Sequence, residues 1–183
     1  MIGTLAFLLA ATAPSGEAEL PVLKAFDRLC GESISTSEIE AKALGLGWST
    51  HSPSEGSENA KLATELARVP SVEFNADLRI FQNEAGNLTV FGLEVVSPNK
   101  EAVLECKVID STKSKPNENE LVSWAGAGPT KRRGSGPSEV LEWSPSHLPA
   151  PRVVAVYHVP LASESKWPGK GLIITSLRFY KIN

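Results

Sequence analysis

Cysteine is nearly absent: the 183 residues hold two, Cys30 and Cys106. Two thiols cannot supply a four-cysteine zinc site, and without a Cys-x-x-Cys spacing they lack the motif of thiol–disulfide exchange. Histidine is scarce as well. His51, His147 and His158 stand far apart, and none has an acidic or histidine neighbour one helical turn away on a helix. No metal-ligand cluster is local in the sequence, and no cofactor is expected. Neither sign of charge dominates: 18 basic residues face 21 acidic ones, a net charge of −3. Such a chain carries no broad electrostatic footprint for nucleic acid or for an anionic membrane. Catalytic signatures are missing too. There is no Gly-x-Ser-x-Gly, no Walker A sequence and no Gly-x-Gly-x-x-Gly after a strand. Gly134-Ser135-Gly136 falls in a loop, and Gly169-Lys170-Gly171 leads into a strand where a phosphate loop would lead into a helix.

What is present begins with an uncharged apolar leader, residues 2–13. It has the length of a signal-peptide h-region and falls short of the roughly 20 residues that span a bilayer. No Lys or Arg precedes it. Ala11-Thr12-Ala13 fits the small-x-small cleavage rule but would leave Pro14 first. Gly16-Glu17-Ala18 also fits and leaves Glu19, so residues 1–18 read as a signal peptide and residues 19–183 as one domain. The expected address is periplasmic or secreted, with no membrane span after the leader is removed. The alternative is a buried N-terminal helix, which would normally show a polar face. Removing 18 of the 183 residues leaves 165, enough to bury a core. A hydrophobic content of 42% argues against global disorder.

In an exported chain the two cysteines read as one disulfide. Leu23, Phe26 and Cys30 share a helix face, while Leu104, Cys106 and Val108 share a strand face. Both thiols therefore point into the core. Closing so long a loop would restrict the unfolded chain by about 4 kcal/mol. Two buried free thiols are the alternative if the leader is not a signal.

The first half of the mature chain has helical spacing. Residues 20–30 form a first helix stopped by Gly31. Ser35 with Glu38 has a capping-box spacing and opens a second helix through Leu44, followed by Gly47-Trp48. Residues 49–58 form a polar loop, and a third helix runs over 58–68 to Pro70. The period then changes to two. Val72, Phe74, Ala76, Leu78 and Ile80 alternate with polar residues, and further strands run over 88–96 and 102–109 as an antiparallel meander. Residues 111–120 and 125–138 read as loops, the second long and mobile. Leu121–Trp124 and Val140–Trp143 read as short edge strands, Val153–Val159 as a central strand, and Leu172–Tyr180 as the last strand with Ile173, Leu177 and Phe179 on one face. The expected fold class is α+β: two or three short N-terminal helices packed on an antiparallel sheet of five to seven strands.

Three groups of residues merit chemical attention. Asp77 and Glu94, on neighbouring strands, are a possible carboxylate pair, although such residues more often line a solvated face. Lys131-Arg132-Arg133 is a possible partner-contact loop for phosphate or an acidic protein, or a solvated loop tip. Trp124, Trp143 and Trp167 stand near loops as candidate exposed aromatics for sugar stacking, while Trp48 reads as a core anchor.

Ala25-Phe26-Asp27-Arg28-Leu29-Cys30, then a short helix closing in Gly47-Trp48, then Leu104-Glu105-Cys106-Lys107-Val108 resembles a loose group of small exported alphaproteobacterial proteins. The group is uncharacterised. The resemblance spans roughly the first 110 positions and implies a periplasmic address and a disulfide, with no activity and no site residues. The functional expectation is a non-catalytic binding or interaction protein of the cell envelope, its partner another envelope protein. The alternative is an envelope hydrolase acting on glycan or ester, with a site assembled in space.

Overall fold

A computed structural model describes residues 20–67, 75–112, 117–134, 139–144, 153–159 and 170–181. The leader, His147 and Trp167 lie outside them. The described residues form, in chain order, α1 (Pro21–Cys30), α2 (Thr36–Gly45), β1 (Ser49–Thr50), α3 (Glu58–Ala67), β2 (Asn75–Gln82), β3 (Leu88–Val96), β4 (Glu101–Asp110), α4 (Glu118–Ala125), β5 (Lys131–Arg133), β6 (Val140–Trp143), β7 (Val153–Val159) and β8 (Gly171–Lys181). No helix among them is long and apolar enough to cross a membrane.

All eight strands join one antiparallel sheet in the order β1-β2-β3-β4-β8-β7-β6-β5. The α+β class holds, but the strand count exceeds the expected five to seven. Two corrections account for this. Leu121–Trp124 is helical, not an edge strand, because Asn117 and Glu120 cap it reciprocally. The Asn117 side chain accepts the Asn119 N–H at 3.1 Å, and Glu120 accepts the Asn117 N–H at 3.0 Å. Conversely, the polar runs at 49–50 and 131–133 are strands at the two sheet edges. They are too short and too polar to show a period, and cross-strand pairing alone defines them.

Strand alternation divides the side chains between two faces. On the helix-side face, Phe81, Val90, Leu104, Val108, Val154, Val156 and Ile174 pack with Val22, Phe26, Leu29, Ile39 and Leu121 from α1, α2 and α4. On the outer face, Leu62 of α3 joins Ile80, Phe91, Ile109, Val159 and Ile173 in a smaller cluster. α2 approaches the sheet closely because Gly92 has no side chain there: a Cβ at that position would lie 3.0 Å from Ile39 Cδ1.

Cys30 and Cys106 are bonded, with Cα atoms 5.6 Å apart, and each is 1% exposed. The bridge ties the end of α1 to the middle of β4. Near it, Phe26, Trp124 and Trp143 form two successive edge-to-face contacts, at 5.7 and 6.4 Å between ring centroids. Trp124 Nε1 donates to Asp27 at 2.9 Å, and Trp143 Nε1 donates to the Ala127 carbonyl at 2.9 Å. Trp143 is buried and Trp124 packs against the core, so neither is the exposed aromatic expected from its position near a loop. Trp48 does pack against the core.

Candidate functional site

The basic run lies on β5, and alternation splits it between the faces. Lys131 and Arg133 meet the same buried carboxylate, Glu142 of β6, at 3.3 and 2.9 Å. Arg132 points the other way and forks between Glu118 of α4, at 2.5 Å, and Glu139. Donating hydrogen bonds to the Glu118 and Glu139 carboxylates holds the Arg132 guanidinium well above its usual pKa, so it stays charged. The loop expected over 125–138 is therefore, at 131–133, a strand whose cations are already matched by carboxylates of this chain. Residues 135–138 lie outside the described set.

Asp77 and Glu94 do meet. They are directly paired across β2 and β3, and both accept a hydrogen bond from the Thr36 hydroxyl, at 2.5 and 3.2 Å. Glu94 also accepts the Thr36 N–H at 3.3 Å, and its second oxygen accepts the Tyr180 hydroxyl at 2.5 Å. Tyr180 is paired with Ala102 of β4, which in turn pairs with Val96, two residues along β3 from Glu94, so the contact is a diagonal one across the sheet face. Arg79 donates to Asp77 at 2.9 Å and also pairs with Glu40 of α2. Burial, then the Glu94 carboxylate, pushes the Tyr180 phenol pKa up. Each carboxylate is thus met by donors from α2 or its own sheet, and the cluster fixes the first turn of α2 to the strands. Sequence reasoning found the carboxylate pair but missed Thr36, Arg79, Glu40 and Tyr180. The available signal was the same-face spacing of Asp77 and Arg79.

On the outer face, Lys107 and Glu105 form an ion pair at 3.0 Å with side chains 7% and 20% exposed. Thr175 donates to Glu105 at 3.1 Å. Burial, with Glu105 nearby, raises the Tyr157 pKa. Beyond this pair, towards the ends of β3, β4 and β8, Val95, Val103 and Phe179 line a groove of about 520 Å³, with Glu101 and Lys181 at its rim. Phe179 is 69% exposed. It lies on the outer face, as its spacing with Ile173 predicts, but Leu62 of α3 packs around Ile173 and not around Phe179. A second, smaller cavity of about 160 Å³ lies under α4.

His51 is half-buried beside β2, where its N–H donates to the Ile80 carbonyl at 2.8 Å, and His158 borders the smaller cavity. Among the described residues no group of three or more His, Cys, Asp or Glu is placed to hold a metal ion. Comparison with protein-family models, curated proteins and solved structures finds no match for the chain.

Proposed function

We propose that this protein is exported and acts in the cell envelope by binding another envelope protein, without turnover, through the Phe179 end of the outer sheet face. The observation that carries the reading is Phe179, exposed beside Val95 and Val103 in a groove whose rim offers one acid and one base, Glu101 and Lys181. Apolar side chains grouped on a polar surface mark contact sites. The fitting partner is a protein segment that fills the groove with an apolar side chain beside the Glu101–Lys181 ion pair, whose charged atoms are 3.7 Å apart. The Cys30–Cys106 bridge and the resemblance to small exported proteins support the periplasmic or secreted address. The basic strand Lys131–Arg133 is a secondary contact at most, since Glu142, Glu118 and Glu139 already neutralise it.

The hydrolase alternative draws on one observation, the two carboxylates meeting at Thr36. Their donors argue for a structural role: Asp77 is ion-paired with Arg79, and both oxygens of Glu94 accept hydrogen bonds.

The test uses the mature chain and a Phe179→Asp variant as baits in envelope extract, with sedimentation of each alone. A protein retained by the wild type and lost from the folded variant supports the reading. Equal retention by both, or retention of nothing, overturns it. So does a wild-type dimer that the substitution makes monomeric, which would assign the groove to a second copy of this chain.

A further inference from the structure

The outer edge of β2 is covered over only part of its length. β1 pairs with it at Phe81 and Gln82, and the His51 N–H then donates to the Ile80 carbonyl at 2.8 Å. Continued in the same register, the chain would set Pro53 against Leu78, and proline has no N–H to donate there. β1 ends before that point. Strand geometry fixes which groups stay open. Asn83 donates to the Leu88 carbonyl at the β2–β3 turn, so the odd-numbered residues of β2 turn their backbone groups towards β3. Ala76 and Leu78 turn theirs outward, as Ile80 does. Among the described residues, nothing hydrogen-bonds to the backbone N–H and C=O groups of Ala76 and Leu78.

Open groups at this spacing match two residues of an added antiparallel strand, each exchanging both bonds with Ala76 or with Leu78. The partner residue between those two would face Asp77, in the kind of pair whose side chains stand closest. The Asp77 side chain is 47% exposed. Its Oδ2 accepts the Thr36 hydroxyl and the Arg79 N–H, while its Oδ1 has no partner among the described residues. Arg79 also pairs with Glu40, so two carboxylates share one guanidinium and this face of the edge is acidic. On the outer face Ala76 is exposed, and Leu78 is half-buried against the Leu62 cluster. A second copy of this chain is a poor occupant, because bonding the same groups would set Asp77 directly against its own counterpart. We propose that the open edge of β2 binds an extended protein segment by strand addition, with a lysine or arginine opposite Asp77 and apolar side chains opposite Ala76 and Leu78. The edge lies one strand beyond the Phe179 groove, and this binding needs neither Phe179 nor a catalytic step.

The probe is the capped peptide acetyl-Thr-Val-Lys-Val-Thr-amide, read by amide NMR of the disulfide-bonded mature chain. In the free chain the Ala76 and Leu78 amides should exchange with solvent faster than those of Asp77 and Arg79, which bond to β3. The peptide should shift residues 75–79 saturably and slow exchange at Ala76 and Leu78. A dissociation constant of about 1 mM suits so short a segment. Replacing the peptide lysine by serine should weaken binding several-fold, and replacing it by glutamate at least tenfold. Methylating both valine nitrogens should abolish binding, since these donate to the Ala76 and Leu78 carbonyls. Ala76→Pro should abolish it too. The N–H it removes points away from β3, so the β2–β3 ladder and the urea midpoint should hold. Should that variant not fold, the peptide series decides alone. The proposal is overturned by absence of saturation, or by a methylated or glutamate peptide that binds like the lysine one. It is also overturned by concentration-dependent shifts of these amides in the chain alone, which would assign the edge to a second copy.

Discussion

Opening the Cys30–Cys106 bridge should remove a large share of this protein's stability, and almost all of the loss should arise in the unfolded chain. The bridge spans 76 positions of sequence, and loop-closure entropy for that span amounts to about 4 kcal/mol at room temperature. Few compensating or aggravating changes occur in the folded state. Both sulfurs are in the core, where a reduced thiol behaves as a small apolar group and leaves no unpaired charge. α1 also stays against the sheet through Val22, Phe26 and Leu29, all 0% exposed. A domain with total stability of about 5–15 kcal/mol would lose a quarter or more of it. Urea unfolding of the oxidised and the reduced mature chain measures this directly. The midpoint should fall sharply, and the slope should rise as the released chain exposes more surface. A Cys30→Ala/Cys106→Ala chain should lose somewhat more than the reduced protein, because each missing sulfur leaves a small void. A difference below about 1 kcal/mol between oxidised and reduced protein would refute the reasoning, since the loop would then be closed in the unfolded state by something other than the bridge.

Gly92→Val should cost about 1–3 kcal/mol by forcing Ile39 away from the sheet. An added Ile39→Val should recover part of that loss, and additive urea midpoints would show that the two residues do not compete for space. Gly171→Ala should be worse, about 3 kcal/mol or more. Its φ is +102° and the new Cβ would sit 2.1 Å from the Asp110 carbonyl oxygen, which is backbone and cannot swing aside. A midpoint close to wild type would show that the β4–β8 approach is looser than described. Both tyrosines of the chain, Tyr157 and Tyr180, have phenol pKa values raised in the folded state. The protonated forms are then favoured by folding, so their contribution to stability is complete below the unfolded value of about 10 and is lost as pH climbs through the folded values. Phenolate absorbance should appear at higher pH in the native protein than in urea, and coincident titrations would remove the burial argument.

Much of the fold was legible because its signals are local. The alternation around Leu78 and Ile80 gave β2, and the apolar run from Val153 to Val159 gave β7, an interior strand between β6 and β8. The Ser35–Glu38 spacing gave the start of α2, where Ser35 Oγ accepts the Glu38 N–H at 3.2 Å. Leu23, Phe26 and Cys30 are buried, as their shared face required. The failures have physical causes as well. Leu121-Val122-Ser123-Trp124 has strand propensity, but the Asn117–Glu120 cap outweighs it. Lys131-Arg132-Arg133 has no apolar pattern, and pairs as an edge strand because Glu142 and Glu139 face it from β6 and the residue before it. Charged edges of this kind also discourage unwanted strand addition. The α4 cavity was invisible because its walls come from four elements spread between residues 118 and 172, which only tertiary packing brings together.

The Lys107–Glu105 pair explains why Phe179 stands apart from the core although its spacing is that of a core residue. Along the outer face of β4, Val103, Glu105, Lys107 and Ile109 follow one another at every second position. On β8 the matching series is Phe179, Leu177, Thr175 and Ile173. Two charges and a hydroxyl therefore interrupt an otherwise apolar face between the Ile109–Ile173 end and the Val103–Phe179 end. A buried ion pair adds little net stability compared with apolar residues of similar size, so its presence is not explained by stability alone. It does separate two apolar surfaces, leaving α3 and Leu62 on one and the groove on the other. A Lys107→Met/Glu105→Leu chain would join them into one continuous apolar face. On this reasoning it should fold with near-normal stability yet associate with itself, whereas an unchanged sedimentation coefficient would deny the pair that separating role.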